Sequence, residues 1–97
     1  MVIDKEPWDV RRNKKFEKII ARFPKHDAER IQEHFSDVDF NPYEGDIRKL
    51  QGEENIWSIR LGEYRAFYEI YQEEHMAEVF HVERRNTQTY KRGKQKR

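Results

Sequence analysis

The chain reads as a single α+β domain, two N-terminal helices packed on one face of a small twisted antiparallel sheet. Three observations predict this. Between residues 13 and 23, Phe16, Ile19, Ile20 and Phe23 recur at i, i+3, i+4 and i+7, which is one stripe of a helix. A second stripe, Ala28, Ile31, Phe35 and Val38, follows Pro24. Residues 56–71, IWSIRLGEYRAFYEIY, alternate with the period of two that a strand requires and break once, at Gly62-Glu63.

Each element has a local cause. Residues 1–6 are expected to be loose, and Trp8 and Val10, alternating with polar neighbours, predict a short first strand. The first helix stops at Pro24, whose ring and missing N–H end a helix. The second begins near His26 or Asp27 and ends before Asn41-Pro42, because the residue before proline avoids helical geometry. Residues 41–55, with Pro42, Gly45 and Gly52, read as a polar connection. A two-residue connection with glycine first suits a tight hairpin. After a turn over residues 72–75, a last strand spans about 76–83. The whole chain, 1–97, is one domain, with a basic tail over about 91–97.

The hairpin turn fixes a register. Leu61 pairs with Tyr64, Arg60 with Arg65, Ile59 with Ala66, Ser58 with Phe67 and Trp57 with Tyr68. Paired residues share a face. One face collects Trp57, Ile59, Leu61, Tyr64, Ala66 and Tyr68, and the other carries Ser58, Arg60, Arg65 and Phe67. Two arginines directly opposite each other repel. A sheet keeps them more readily when an anion sits between them.

Composition narrows the chemistry. Charged residues make up 40% and hydrophobic ones 35%, but 13% aromatics supply the core with large side chains, so the chain is not a disordered type. Without cysteine there is neither a disulfide framework nor a thiolate metal site. No apolar run approaches the ~20 residues of a membrane span, and the charged N-terminus does not suit a signal peptide, so a cytoplasmic protein without membrane contact is expected. The net charge of +1 hides an asymmetry: residues 84–97 carry +7 and residues 1–83 carry −6. The basic end reads either as a solvated tail or as a footprint for phosphates, and alone it does not choose.

Glycine-rich phosphate loops, HExxH and GxSxG are absent. His26, His34, His75 and His81 show no tight ligand spacing, so no metal or other cofactor is expected; His81 reads as a packed or hydrogen-bonded histidine rather than a base. Arginines with tyrosines remain: Arg60 and Arg65 on one face, then Arg84, Arg85 and Tyr90. Such a set suits metal-free phosphodiester chemistry, because guanidinium groups hold a phosphate bidentately and stabilise the charge of a phosphorane-like transition state. The same arginines would equally serve as partners of surface carboxylates.

The segments DIRKLQG, SIRLGEYRAFYEI and EVFHVERRNTQTY together resemble the RelE/ParE superfamily of type II toxin–antitoxin toxins, over roughly residues 8–92. The resemblance implies the fold read above. Its RelE-like branch cleaves mRNA in the ribosomal A site without metal, by attack of the 2′-hydroxyl on the neighbouring phosphate. By position, Arg65 matches the arginine that stabilises the transition state and Arg60 a basic position on the preceding strand. Arg85 best fits the arginine after the final strand, with Arg84 the one-residue alternative, and Tyr90 matches the C-terminal tyrosine. Arg48, Lys49, Arg84, Lys91, Arg92, Lys94, Lys96 and Arg97 are the further residues expected to contact RNA. Ser58 stands where the most active RelE-like enzymes carry a lysine, so a candidate general base is missing. The implied partners are a cognate antitoxin, mRNA on the ribosome, and operator DNA only through the antitoxin complex. The alternatives are a ParE-like inhibitor of DNA gyrase and a non-catalytic RNA- or ribosome-binding domain of the same fold.

Overall fold

The computed structural model describes residues 7–37 and 39–85. In chain order it contains β1 (Asp9–Arg12), α1 (Lys14–Ile20), α2 (Lys25–Ser36), β2 (Ile47–Lys49), β3 (Ile56–Leu61), β4 (Tyr64–Tyr71) and β5 (Met76–Arg84). The five strands form one sheet in the order β1-β5-β4-β3-β2. Strands β2 to β5 make the expected antiparallel meander, whereas β1 runs parallel to β5, so the sheet is mixed.

The helices begin and end for local reasons. Asn13 caps α1 by accepting a hydrogen bond from the Lys15 N–H at 2.7 Å. Helix α1 closes at Ile20, earlier than its apolar stripe suggests. The backbone then tightens, with Arg22 and Phe23 N–H groups reaching the carbonyls of Ile19 and Ile20. Phe23 leaves the helix but stays on the core, stacked on Tyr64 at 4.7 Å. Pro24 occupies the N-cap position of α2, which ends at Ser36. Val38, expected on the buried side of this helix, lies outside the described residues.

The hairpin register is the one predicted, from Leu61↔Tyr64 to Trp57↔Tyr68. Gly62 turns it with φ +63°, while Glu63 keeps a negative φ, as a type II′ turn requires. Strand β5 contains a bulge: Phe67 pairs with His81 but Tyr68 pairs with Val79, leaving Phe80 as the extra residue. Its cause is visible in the core. Val79 and Val82 are both buried yet three positions apart, which strict alternation forbids.

Residues 41–55 are not wholly a connection. Ile47–Lys49 form the edge strand β2, with Ile47 opposite Ile59, Arg48 opposite Ser58 and Lys49 opposite Trp57. One apolar residue in three carries too little alternation to announce a strand.

The core lies between the helices and one sheet face. Phe16, Ile20, Ile31, Phe35 and Phe40 pack on Ile59, Tyr64, Ala66, Tyr68, Ile70, Ala77, Val79 and Val82. Tyr68 is fully buried and donates its hydroxyl to the Pro42 carbonyl at 2.7 Å, so burial costs it no hydrogen bond. At the far end of the sheet, His75 adopts φ +56° and stacks on Trp8 at 4.0 Å, while its carbonyl accepts from the Asp9 N–H. This contact docks β1 onto the β4–β5 turn. Among the described residues no helix is long and apolar enough to cross a membrane.

Candidate functional site

The two helices cover one sheet face, and the register defines what the other presents. Across β2, β3, β4 and β5 one row reads Arg48, Ser58, Phe67, His81, and the next reads Arg60, Arg65, Glu83. Farther along, Glu69 stands opposite Glu78, which in turn faces Arg11 of β1. The face is therefore polarised, with Arg48, Arg60 and Arg65 against the single carboxylate of Glu83 towards the hairpin, and Glu69 and Glu78 against Arg11 towards the opposite end. A polyanion would be drawn to the hairpin end.

Arg65 is held rather than free. Its Nη1 donates to the Ser58 Oγ at 2.9 Å, diagonally across the β3–β4 pair. Ser58 is only 4% exposed, so the hydroxyl is anchored and fixes the guanidinium in turn. The opposing Arg60 is drawn outward: its Nη1 lies 3.9 Å from the Asp46 carboxylate and its backbone N–H donates to the Asp46 carbonyl. Separate engagements let the two like charges coexist while leaving both guanidinium groups donors to spare.

Arg84 and Arg85 part company at the end of β5. Arg84 pairs with Tyr64 on the helix-covered side, its Nη2 donates to Glu63 Oε1 at 3.0 Å, and its guanidinium lies 5.8 Å from the Tyr64 ring centre. Arg85 follows the strand with its N–H bonded to the Glu63 carbonyl at 2.6 Å, and continued alternation would set it on the side of Arg65 and Glu83. Arg48 also belongs to the arginine face, while Lys49 points to the side of Trp57. Tyr90, Lys91, Arg92, Lys94, Lys96 and Arg97 lie outside the described residues.

Two of the tyrosines in the sheet hold their phenol protons tightly. Burial, then the hydrogen bond to Asp27 at 2.6 Å, pushes the Tyr64 phenol up. Burial, then Glu69, does the same to Tyr71. His81, expected to be packed or hydrogen-bonded, is both half-buried and bonded: its Nε2 lies 3.3 Å from Glu83 Oε1 and its ring 5.6 Å from that of Phe67. Glu83 was not singled out in the sequence; the strand pairing that brings it opposite Arg65 depends on the bulge at Phe80. Among the described residues no three His, Asp or Glu side chains gather as a metal site. A cavity of about 630 Å³ lies to one side, between α2 and the hairpin, lined by Asp27, Arg30, Ile31, His34, Leu61 and Tyr64, and Arg60 borders it.

A helix-backed sheet with a cationic open face describes a class, and comparison with known proteins gives the family. Residues 8–89 match the ParE toxins of type II toxin–antitoxin systems (parDE). The chain belongs to this family and is a RelE/ParE-type toxin. Solved structures agree in fold. The RelBE2 toxin–antitoxin complex of Mycobacterium tuberculosis aligns with TM-score 0.73 and 24% identity, covering 84% of this chain and 95% of that one. The isolated RelE toxin of E. coli aligns with TM-score 0.66 and 18% identity, over 88% and 97%. The RelB–RelE complex of Methanococcus jannaschii aligns with TM-score 0.65 and 25% identity, over 82% and 94%. No curated protein sequence matches the chain significantly.

Proposed function

We propose that this toxin is a ribosome-dependent mRNA endonuclease that cleaves without a metal ion. The observation that carries the reading is the cross-strand pair Arg60–Arg65 on the open face, with Arg65 fixed by Ser58 and Arg48 and Arg85 beside it. Four guanidinium groups on one face suit a chain of phosphates, and a pre-set guanidinium stabilises negative charge as it builds on a transferring phosphoryl group. In this account Arg65 contacts the scissile phosphate. Arg60, Arg48 and Arg85 hold its neighbours, and Phe67 and Phe80 offer surfaces on which bases stack. Tyr90 and the basic residues Lys91, Arg92, Lys94, Lys96 and Arg97 extend the RNA contact, and Lys49 and Arg84 approach it from the flanks.

Several related toxins were solved bound to RelB antitoxins. We assign this chain a cognate antitoxin likewise, one that covers the arginine face in the cytoplasm and carries the complex to operator DNA. An antitoxin supplying acidic side chains to that face would compete directly with mRNA.

The second reading is inhibition of DNA gyrase without nuclease activity. It draws on the match to the ParE toxins and on Ser58, which replaces a basic residue of the RNA-cleaving branch. Adding the purified protein in parallel to a translation system and to a gyrase supercoiling reaction separates the two. Arrest of translation with supercoiling untouched is the expected result. Blocked supercoiling with normal translation would replace the first reading by the second.

A further inference from the structure

Among the described residues no lysine stands on the arginine face, yet it carries an imidazole whose orientation is already set. We infer that His81, oriented by Glu83, is the general base of this toxin; the inference rests on the nuclease reading above. His81 is the only imidazole on the open face among the described residues, and its side chain is 35% exposed, so solvent and substrate reach it. Its Nε2 is taken by Glu83 Oε1 at 3.3 Å, which leaves Nδ1 as the nitrogen offered to a ligand. Phe67, directly opposite, supports the ring at 5.6 Å. The bulge at Phe80 brings both groups to this position, because it sets His81 opposite Phe67 and Glu83 opposite Arg65.

The placement fits the chemistry. Same-face diagonal neighbours in an antiparallel pair stand roughly 7 Å apart. His81 is the diagonal neighbour of Arg65, so a phosphate seated on that guanidinium has its adjoining ribose within reach of the imidazole. The other groups on the face do not serve. Ser58 is committed to Arg65, arginines stay protonated, and Glu69 and Glu78 stand at the opposite end. In the step, His81 Nδ1 takes the proton of the 2′-hydroxyl while the 2′-oxygen forms its bond to phosphorus. The bond from phosphorus to the 5′-oxygen breaks, and that oxygen takes a proton from solvent water. The products are a 2′,3′-cyclic phosphate and a 5′-hydroxyl, and the imidazolium returns its proton to the medium. Glu83 is a positioning residue here, steadying the ring and stabilising its charged form.

The groups that set the charge around His81 are Glu78 and Glu83 on its own strand, Arg85 just after it, Arg65 and Glu69 on β4, Arg60 on β3, Arg48 on β2, and Arg11 on β1. The test is single-turnover cleavage of ribosome-bound mRNA by the full chain, read as a function of pH between 5.5 and 8.5. Wild type is expected to show a limb rising with pH through one ionisation. His81→Ala is expected to lose about 100-fold in rate, to lose that limb, and to bind ribosomes as before. Glu83→Gln removes the carboxylate that holds the ring, so its rate is expected to fall by less than that of His81→Ala while the limb is kept, and a rate equal to wild type would remove Glu83 from the account. This second variant keeps the test alive should His81→Ala fail to fold by circular dichroism. An active wild type with His81→Ala cleaving at the same rate and with the same pH profile would overturn the inference alone. A folded wild type that cuts no RNA would overturn the nuclease reading and this inference with it.

Discussion

Arg65 and Ser58 show how one buried hydroxyl organises the charge of a whole face. The 2.9 Å bond between them converts a flexible guanidinium into a fixed one, and a hydrogen bond to a charged group contributes about 1.5–3 kcal/mol. Ser58→Ala should therefore lower cleavage about tenfold and the melting temperature by several degrees, and Ser58→Thr should restore both. Single-turnover rates alongside thermal melts check both. The same residue explains how Arg60 and Arg65 share a register position: one is tied inward to Ser58 and the other outward to Asp46. The repelling pair was legible in the sequence from turn length alone. The bond that tames it was not, because a diagonal contact depends on rotamers that alternation leaves open.

The β3–β4 hairpin is the element that sets this geometry, and its turn rests on Gly62 at φ +63°. A side chain there forces a left-handed backbone on an L-residue, at a cost of about 1–2 kcal/mol. Gly62→Ala should lower the melting temperature by several degrees and weaken cleavage through the displaced arginines; a melt no lower than wild type would contradict the turn assignment. Helix α2 carries a different sensitivity. His34 lines the cavity beside the hairpin with its Nε2 buried and unpartnered among the described residues, and burial lowers its pKa from 6.5 while Asp37 opposes the shift. The unfolded chain then binds more protons than the folded one just below pH 6.5, so stability falls as pH drops through that range towards the folded pKa. Denaturant unfolding of His34→Gln should show a shallower acid slope than wild type. Both helices were legible from their stripes, but their ends were not: Phe23 keeps its place on the core through a stack on Tyr64 after the helix has closed.

For the molecule as a whole, one aromatic layer joins the two helices to the sheet, and the proposed RNA site lies on the side it leaves open. Phe35 is 1% exposed and packs against Phe16, Phe40 and Tyr68. Phe35→Ala should cost about 3–5 kcal/mol, a large part of the stability of so small a domain, and urea unfolding measures it. The sequence predicted the division of the sheet into a packed and an open face, because each strand's alternation is local. It did not predict that β1 closes the sheet in parallel or that β2 brings Arg48 into the arginine row. Both depend on edge strands of four and three residues, too short to show a period, and β1 finds its partner only near the other end of the chain, with Asp9 opposite Met76. Truncation after Gly93 tests the reach of the basic end, since it removes Lys94, Lys96 and Arg97 and should flatten the salt dependence of ribosome binding by a slope of up to about 2–3.

The most direct test of the account is primer extension on a defined mRNA in a purified translation system, with wild type and Arg65→Ala compared at equal, folded concentrations. The account predicts cuts within the A-site codon that require ribosomes and vanish in Arg65→Ala. Equal cutting by both proteins would contradict it, because the phosphate would then not be seated on the arginine face.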